Sequence, residues 1–549
     1  MQSRPPEDQP RPVETFTVDD GATSLGFIEQ GPVQMWPPYY CVPRSLTISI
    51  AGTLGTGLFL GSGVAITSAG PLGALFAYML VSTVAYASLC AISEMTCFAP
   101  TSGTFPHHAS RWVDEALGFA VGWNYVYTNM MTIPVEIYAA QLLTSYWDSN
   151  PDHQWIYVGF FCLLCFIINV VGWRWSEQAQ FMFSVMKLAV LAALVLISLV
   201  IILGGAPNHD RIGFRYWKKP GPFATPGILQ TDLNMDRLLG FTLATMQAAF
   251  SFQGMEIAAI AAVVTESPRT PRRNIARVIR KSFYYILSCY IVGILIAGMI
   301  VSSNDPLLLS PTDGPVGQSP FIIAMNNAGI TGVLGVVNVC LIASAISAGN
   351  AFSFAASRVL VTLAESSYAP IIFKKTYKET PIVAVLFTSA FSLLAFAYLD
   401  PYQNIWTVFQ SLLSLSTVGG FMSWATINLT YLYFYQGLKF HNIDRKKFIY
   451  QGTFQPWLSI WGLYMSILFV VVNGLQILNH ENQGVFALVT YINIPAFLFL
   501  YGCWKIIKKT SFRRVRDRDY NTGIPSIDET ETEPRKPRGF LEKVANVVF

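Results

Sequence analysis

Three ionisable residues stand where the sequence is otherwise apolar enough to lie in hydrocarbon. Lys187 lies in "QFMFSVMKLAVLAALVLISLVIIL", Glu136 in "TIPVEIYAAQLL" and Glu256 in "QAAFSFQGMEIAAI". A charge at such depth is costly unless it meets a partner or water, so each is a candidate for function. Lys187 is the first lysine of the chain. It sits about eight residues into its apolar stretch, on the order of 12 Å at the helical rise. A lysine held out of water can exchange its proton during a working cycle, and snorkelling to the interface is the alternative. Pro134 removes one helical hydrogen bond and frees a carbonyl near Met130. That leaves Glu136 open to carrying a proton, pairing with Lys187, meeting a substrate ammonium, or bonding a tyrosine or the backbone. Glu94 and Glu266 lie near span ends, where structural roles are expected.

Two apolar stretches carry residues that a plain helix would avoid. "GTLGTGLFLGSG" at 52–63 holds Gly52, Gly55, Gly57, Gly61 and Gly63, with Thr53 and Thr56 between them. Each glycine costs roughly 0.8–1 kcal/mol in a helix interior relative to alanine. Close helix packing is one explanation. The other is an interruption near Gly52–Gly57, which lipid tolerates only where the freed backbone is buried in protein or lines a wet cavity. Bare N–H groups there favour a carboxylate and freed carbonyls an ammonium, so a zwitterion fits both. Phe250, Ser251, Phe252, Gln253 and Gly254 suggest a second break at 250–254, against a merely kinked helix.

Such a pair of breaks must be positioned by a polytopic membrane protein. Of the 549 residues, 52% are hydrophobic and 12% charged, too apolar for a soluble globule. Twelve stretches are long enough to cross a bilayer: 45–69, 72–98, 118–146, 155–175, 179–204, 236–264, 282–302, 320–348, 382–399, 404–435, 456–478 and 485–507. Lys and Arg concentrate in alternate connections, which puts both termini in the cytosol. The exception, 205–235, is a long loop weakly governed by that rule. The tails, 1–43 and 508–549, have disordered composition, and the basic run "RRVRDRD" at 513–519 is expected to touch anionic lipid. By charge alone the segment 266–281 looks like a phosphate-binding patch, but topological retention and an inner-gate contact are the expected roles. Cys162 and Cys165 form a CxxC in a lipid-depth helix, where core packing outweighs redox or metal chemistry. No Walker motif, zinc-ligand helix or nucleophile–base spacing appears, so no cofactor, metal, nucleic acid or enzymatic reaction is expected.

In order along the chain, "GTLGTGLFLGSG" (52–63), "SEMTCFAPTSGTF" (93–105), "IPVEIYAA" (133–140), "SFQGMEIAAIAAVVTESPRTPRRNI" (251–275), "SAISAGNAFSFAASRVLVTLAE" (344–365) and "FQSLLSLSTVGGFMSW" (409–424) resemble the fungal amino acid permeases of the amino acid-polyamine-organocation superfamily. The resemblance implies an all-α, leucine-transporter-type fold. Its repeats would be five spans at 44–204 and five inverted spans at 236–435, followed by peripheral helices at 436–507. It also implies proton-driven amino acid uptake at the plasma membrane, with Lys187 standing in for a sodium ion and bridging towards the first break. Glu256, part of a repeated pattern, is expected to gate. Substrate contacts are expected from Gly52, Thr53, Gly55, Thr56, Gly57 and Gly254, and side-chain selectivity from Thr128, Phe250, Ser251 and Phe252. Ala51, Gln180 and Asn129 depart from the family's usual glycine, carboxylate and tryptophan. A receptor that signals, or an amino acid or polyamine exchanger, is the competing reading.

Overall fold

The computed structural model describes residues 41–522 and 524, except 101–103, 149, 172, 228–231, 265–270, 310–318, 378–379, 400–404, 475–489. The described residues are helical, with a lone bridge between Tyr377 and Thr380. In chain order the helices are α1 (Cys41–Thr53), α2 (Thr56–Phe59), α3 (Gly61–Phe98), α4 (Thr104–Trp112), α5 (Glu115–Thr144), α6 (Gln154–Val170) and α7 (Trp173–Leu203). There follow α8 (Arg215–Lys218), α9 (Leu233–Phe252), α10 (Ile257–Val264), α11 (Pro271–Ile300), α12 (Pro306–Leu309), α13 (Pro320–Asn327) and α14 (Leu334–Glu365). The last are α15 (Ile382–Ala390), α16 (Ile405–Phe440), α17 (Trp457–Asn473) and α18 (Asn493–Lys508).

Among the described residues, four helical segments are long and apolar enough to cross a membrane: Gly61–Phe98, Gln178–Leu203, Arg272–Ile300 and Leu334–Glu365. The first contains a sharp bend. Gly70 adopts φ +78°, and a Cβ there would stand 2.5 Å from the Ala224 nitrogen, so only glycine fits. Pro71 follows, and its missing N–H makes the turn inexpensive. The 205–235 loop reaches this bend: Ala224 donates to the Ala69 carbonyl at 3.1 Å, and Leu72 to the Pro222 carbonyl at 3.0 Å.

Two expectations need correction. The single span expected at 320–348 is divided into α13 and the longer α14, which runs on to Glu365. Arg358, expected in a connection, is therefore inside a helix. The tail expected to be disordered from 508 is ordered up to residue 522 and folds back on α4 and α16. Arg518 Nη1 donates to the Tyr433 carbonyl at 2.6 Å and the Tyr520 hydroxyl to the Phe434 carbonyl at 2.9 Å. Composition did not reveal this, because its anchors are backbone carbonyls on distant helices.

The core lies where α5 packs along α14, α3 along α9 and α11, and α16 along α5 and α17. Small residues permit the close approaches. Gly122 meets Leu363, and Gly462 meets Asn428 and Ala87, within the distance a Cβ would occupy.

Candidate functional site

Both expected interruptions are present. The first falls at Leu54 and Gly55, between α1 and α2, with Gly55 non-helical at φ −124°, ψ −149°. The second spans residues 253–256, starting where 250–254 was expected to end; Phe250, Ser251 and Phe252 still belong to the final turn of α9. Gly254 has φ +92°, the left-handed region that suits glycine. The breaks adjoin: a Cβ on Gly254 would lie 3.2 Å from the Gly52 carbonyl oxygen, and one on Gly57 would lie 2.7 Å from the Ser251 Cα.

Buried carbonyls released by a helix break must find other donors. Lys187 Nζ donates to the Ala51 carbonyl at 2.6 Å. The Tyr290 hydroxyl bonds the Thr53 carbonyl at 2.7 Å and also faces the Ser251 carbonyl. The Tyr78 hydroxyl bonds the Gly57 carbonyl at 3.1 Å and the Ser251 hydroxyl at 2.9 Å. Several carbonyls expected to await a ligand are therefore occupied by side chains. Tyr78 and Tyr290 escaped the sequence reading because a tyrosine in an apolar run signals nothing by itself.

Lys187 is 1% exposed, which rules out snorkelling. Glu136, 2% exposed, is its electrostatic counterpart and lies against Thr56 at the start of α2. One carboxylate oxygen, Oε1, sits 2.9 Å from where a Gly55 Cβ would be, so that glycine opens a notch for the carboxylate. The other, Oε2, is buried with no hydrogen-bond partner among the described residues. Glu256 differs. Its Oε1 accepts the Gly254 N–H and its Oε2 the Trp424 indole N–H, both at 3.3 Å. The carboxylate thus closes the second break on itself and ties it to α16.

The four residues expected to set selectivity are divided between two surroundings. Phe250 packs with Val135 and Leu413, towards α5 and α16. Thr128 is on α5 with its hydroxyl buried and without a partner among the described residues, and a Cβ on Gly419 would come within 2.0 Å of it. Phe252 faces the other way, its ring 4.6 Å from that of Tyr290. Ser251 donates to the Gln247 carbonyl at 2.9 Å and meets Tyr78, so its hydroxyl is engaged within the packed scaffold.

A polar chain missed by the sequence reading runs beside Thr128. Thr132 Oγ1 lies 2.5 Å from Ser416 Oγ, which donates to Gln253 Oε1 at 3.0 Å, and Gln253 Nε2 returns to the Ser416 carbonyl at 3.3 Å. The available signal was "SLSTVGG" at 414–420, whose small polar residues and paired glycines are unusual in an apolar helix. Gly420 leaves room for Gln253, which a Cβ would approach to 3.3 Å. No cluster able to hold a metal ion occurs among the described residues.

Glu94 has the structural place expected of it, held by Arg445 and the Gly452 N–H, the latter at 2.7 Å. Glu266 is outside the described residues. Cys162 and Cys165 are free thiols directed at the Ser392 and Ile346 carbonyls.

A family profile described as "Amino acid permease" matches residues 44–517. A proline-specific permease of Emericella nidulans is 34% identical over 512 residues, covering 90% of both chains. The dicarboxylic amino acid permease of Saccharomyces cerevisiae is 32% identical, covering 89% of this chain and 80% of the relative. The general amino-acid permease GAP1 of the same yeast is 31% identical, covering 88% and 79%. These relatives are transporters rather than enzymes, and their family is one of multi-pass membrane proteins. The profile match over most of the chain and the similarity to these fungal permeases along nearly its whole length place the protein in the amino acid permease family.

Proposed function

We propose that the protein is a secondary transporter that imports amino acids across the plasma membrane by proton symport and alternating access. Twelve spans, arranged as two inverted sets of five plus two peripheral helices, would place both termini in the cytosol and the two breaks near mid-membrane. The observation that carries this reading is the adjacency of the breaks, with the Glu136 Oε2 atom buried there without a partner among the described residues. Interrupted helices meeting at a polar site are how transporters of this type build a pocket at membrane depth.

Within this reading, the unpartnered oxygen takes either a proton or the substrate's ammonium, and Lys187 carries the charge that the coupled proton changes. The backbone of Gly52–Gly57 and Gly254 frames the zwitterion. Phe250, Thr128 and the Thr132–Ser416–Gln253 chain face its side chain, while Ser251 and Phe252 support the frame. Glu256 holds the second break to α16 and so acts in gating. Proton and substrate together favour closure, each through its different affinity for the two states.

Uptake of a labelled amino acid panel by permease-deficient yeast, at external pH 5 and 7, tests the proposal. Accumulation stimulated by acid supports it. Uptake indifferent to pH, or obligatory exchange without net accumulation, would overturn proton symport.

A further inference from the structure

A cavity of about 270 Å³ lies apart from the site above, between α3, α11 and the turn leading into α17. Its walls include Leu89, Ile279 and Phe283, and its polar side Arg280, Gln451 and Thr453. The floor is fixed in place. Arg445 Nη2 donates both to Glu94 Oε2 at 2.8 Å and to the Gly452 carbonyl at 2.7 Å, while the Gly452 N–H returns to Glu94. The Tyr86 hydroxyl adds a 3.0 Å bond to the Thr453 hydroxyl. The Glu94 charge is therefore spent on Arg445.

Arg280 is different. Its guanidinium stands 5.5 Å from the centre of the Tyr450 ring and meets no carboxylate among the described residues. The side chain is exposed, one turn from the exposed Arg277, just where the basic start of α11 gives way to the apolar run 282–300. Exposed Tyr284, on the same face one turn further, suits a membrane interface.

The geometry points to a binding site for an anionic phospholipid of the inner leaflet, with its phosphate on Arg280 and its first acyl methylenes on Leu89, Ile279 and Phe283. Arginine's planar fork matches a phosphate, and basic pockets between spanning helices are suited to acidic headgroups. Choline or ethanolamine would bring an unbalanced cation towards Arg277 and Arg280 with the Glu94 carboxylate already engaged, whereas the ammonium of a serine headgroup is balanced by its own carboxylate. The basic tail run does not supply this site through Arg513 or Arg518. Arg513 Nε donates to the Ser110 carbonyl at 3.0 Å, and Arg518 to that of Tyr433. The inference rests on the membrane placement proposed above and not on the transport cycle.

The test is native mass spectrometry of the purified full-length protein after equilibration with mixed phosphatidylserine and phosphatidylcholine micelles. The wild type is expected to retain phosphatidylserine preferentially. Arg280→Gln should weaken retention about tenfold or more, the scale of one lost charge-assisted hydrogen bond. Arg280→Lys should restore part of it, and Lys218→Gln, which removes an exposed charge in the 205–235 loop, should change nothing. Equal retention of both lipids by the wild type, or equal losses from Arg280→Gln and Lys218→Gln, would overturn the site. If Arg280→Gln is not monodisperse, displacement of phosphatidylserine from the wild type by excess phosphatidylcholine decides against it. Lipid retention is read without uptake, so failure here is separable from failure of the transport reading.

Discussion

The Lys187 ammonium donates to the Ala51 carbonyl across 2.6 Å, tying α7 to the last turn of α1. In an uninterrupted helix that carbonyl would receive the Gly55 N–H; the lysine replaces the bond that the break removes. Lys187→Ala leaves a buried carbonyl unsatisfied, a cost of about 1–3 kcal/mol, and removes the charge assigned to coupling. Uptake per surface molecule is expected to lose its acid stimulation while substrate binding persists. Labelled uptake at two external pH values, with ligand-induced thermal stabilisation as the binding readout, checks this. Acid-stimulated uptake at the wild-type level would remove Lys187 from the coupling step.

Glu136 and Lys187 are buried opposite charges at one break, so their substitutions should not act independently. Glu136→Gln preserves shape but strands the lysine, and Lys187→Gln strands the carboxylate; breaking such a pair costs more than replacing both partners. The double variant should melt closer to wild type than the two single losses summed, with a coupling on the order of 0.5–3 kcal/mol. None of the three should show acid-stimulated accumulation. Melting temperatures in detergent provide the cycle, and strictly additive losses would show that the two residues do not communicate.

The first break was legible because glycines at Gly52, Gly55 and Gly57 oppose a helix by local propensity. The second was legible in place but shifted by about three residues, since α9 continues through Ser251 to Phe252 and only Gln253 turns extended. What could not be read was the distribution of partners. Whether Glu136 or Glu256 meets Lys187 depends on the rotation of α5 and α10 about their axes, which apolar helices on both sides leave unmarked. The tail escaped for a similar reason: Tyr520 is 6% exposed among Trp112 and Phe434, yet charged neighbours make its segment read as solvent-facing.

Gly57 allows α2 to touch α9. A Cβ there would stand 2.5 Å from Ser251 Oγ and 2.7 Å from Ser251 Cα, and the second of these is backbone that cannot rotate away. Gly57→Ala should therefore push the breaks apart, with an overpacking cost of about 1–3 kcal/mol, and sharply reduce uptake. Gly332→Ala, where no atom lies within 4 Å, is the matched control and should behave as wild type. Thermal melting and uptake, measured on both, distinguish a local steric effect from a general intolerance of alanine. Wild-type uptake by Gly57→Ala would show that the approach of α2 to α9 is not required.

The folded-back tail is held against α4. Arg111, 7% exposed, reaches the Asp519 carboxylate at 3.0 Å, and the Trp112 indole donates to the Asp519 carbonyl at 3.0 Å. Beneath them His108 stacks on Trp112 with ring centres 5.1 Å apart, and Trp112 in turn stacks on Tyr520 at 6.0 Å. Burial pushes the His108 imidazole down to about 3, with Arg111 and, once it is protonated, His107 adding to the effect and the Ala99 carbonyl opposing it; burial likewise pushes His107 down to about 4. An unfolded histidine binds its proton near pH 6.5. The folded pKa is the lower one, so the stabilising contribution is complete above about 6.5 and declines as pH falls from there towards about 3. The melting temperature should accordingly drop between pH 7.5 and 5.5, and His108→Gln, which can still donate to Ala99 but cannot titrate, should reduce that slope to the part contributed by His107. Arg111→Ala should expose 513–518 to trypsin at pH 7.5. Equal slopes for wild type and His108→Gln would show that protonation of this imidazole does not govern the packing under the tail.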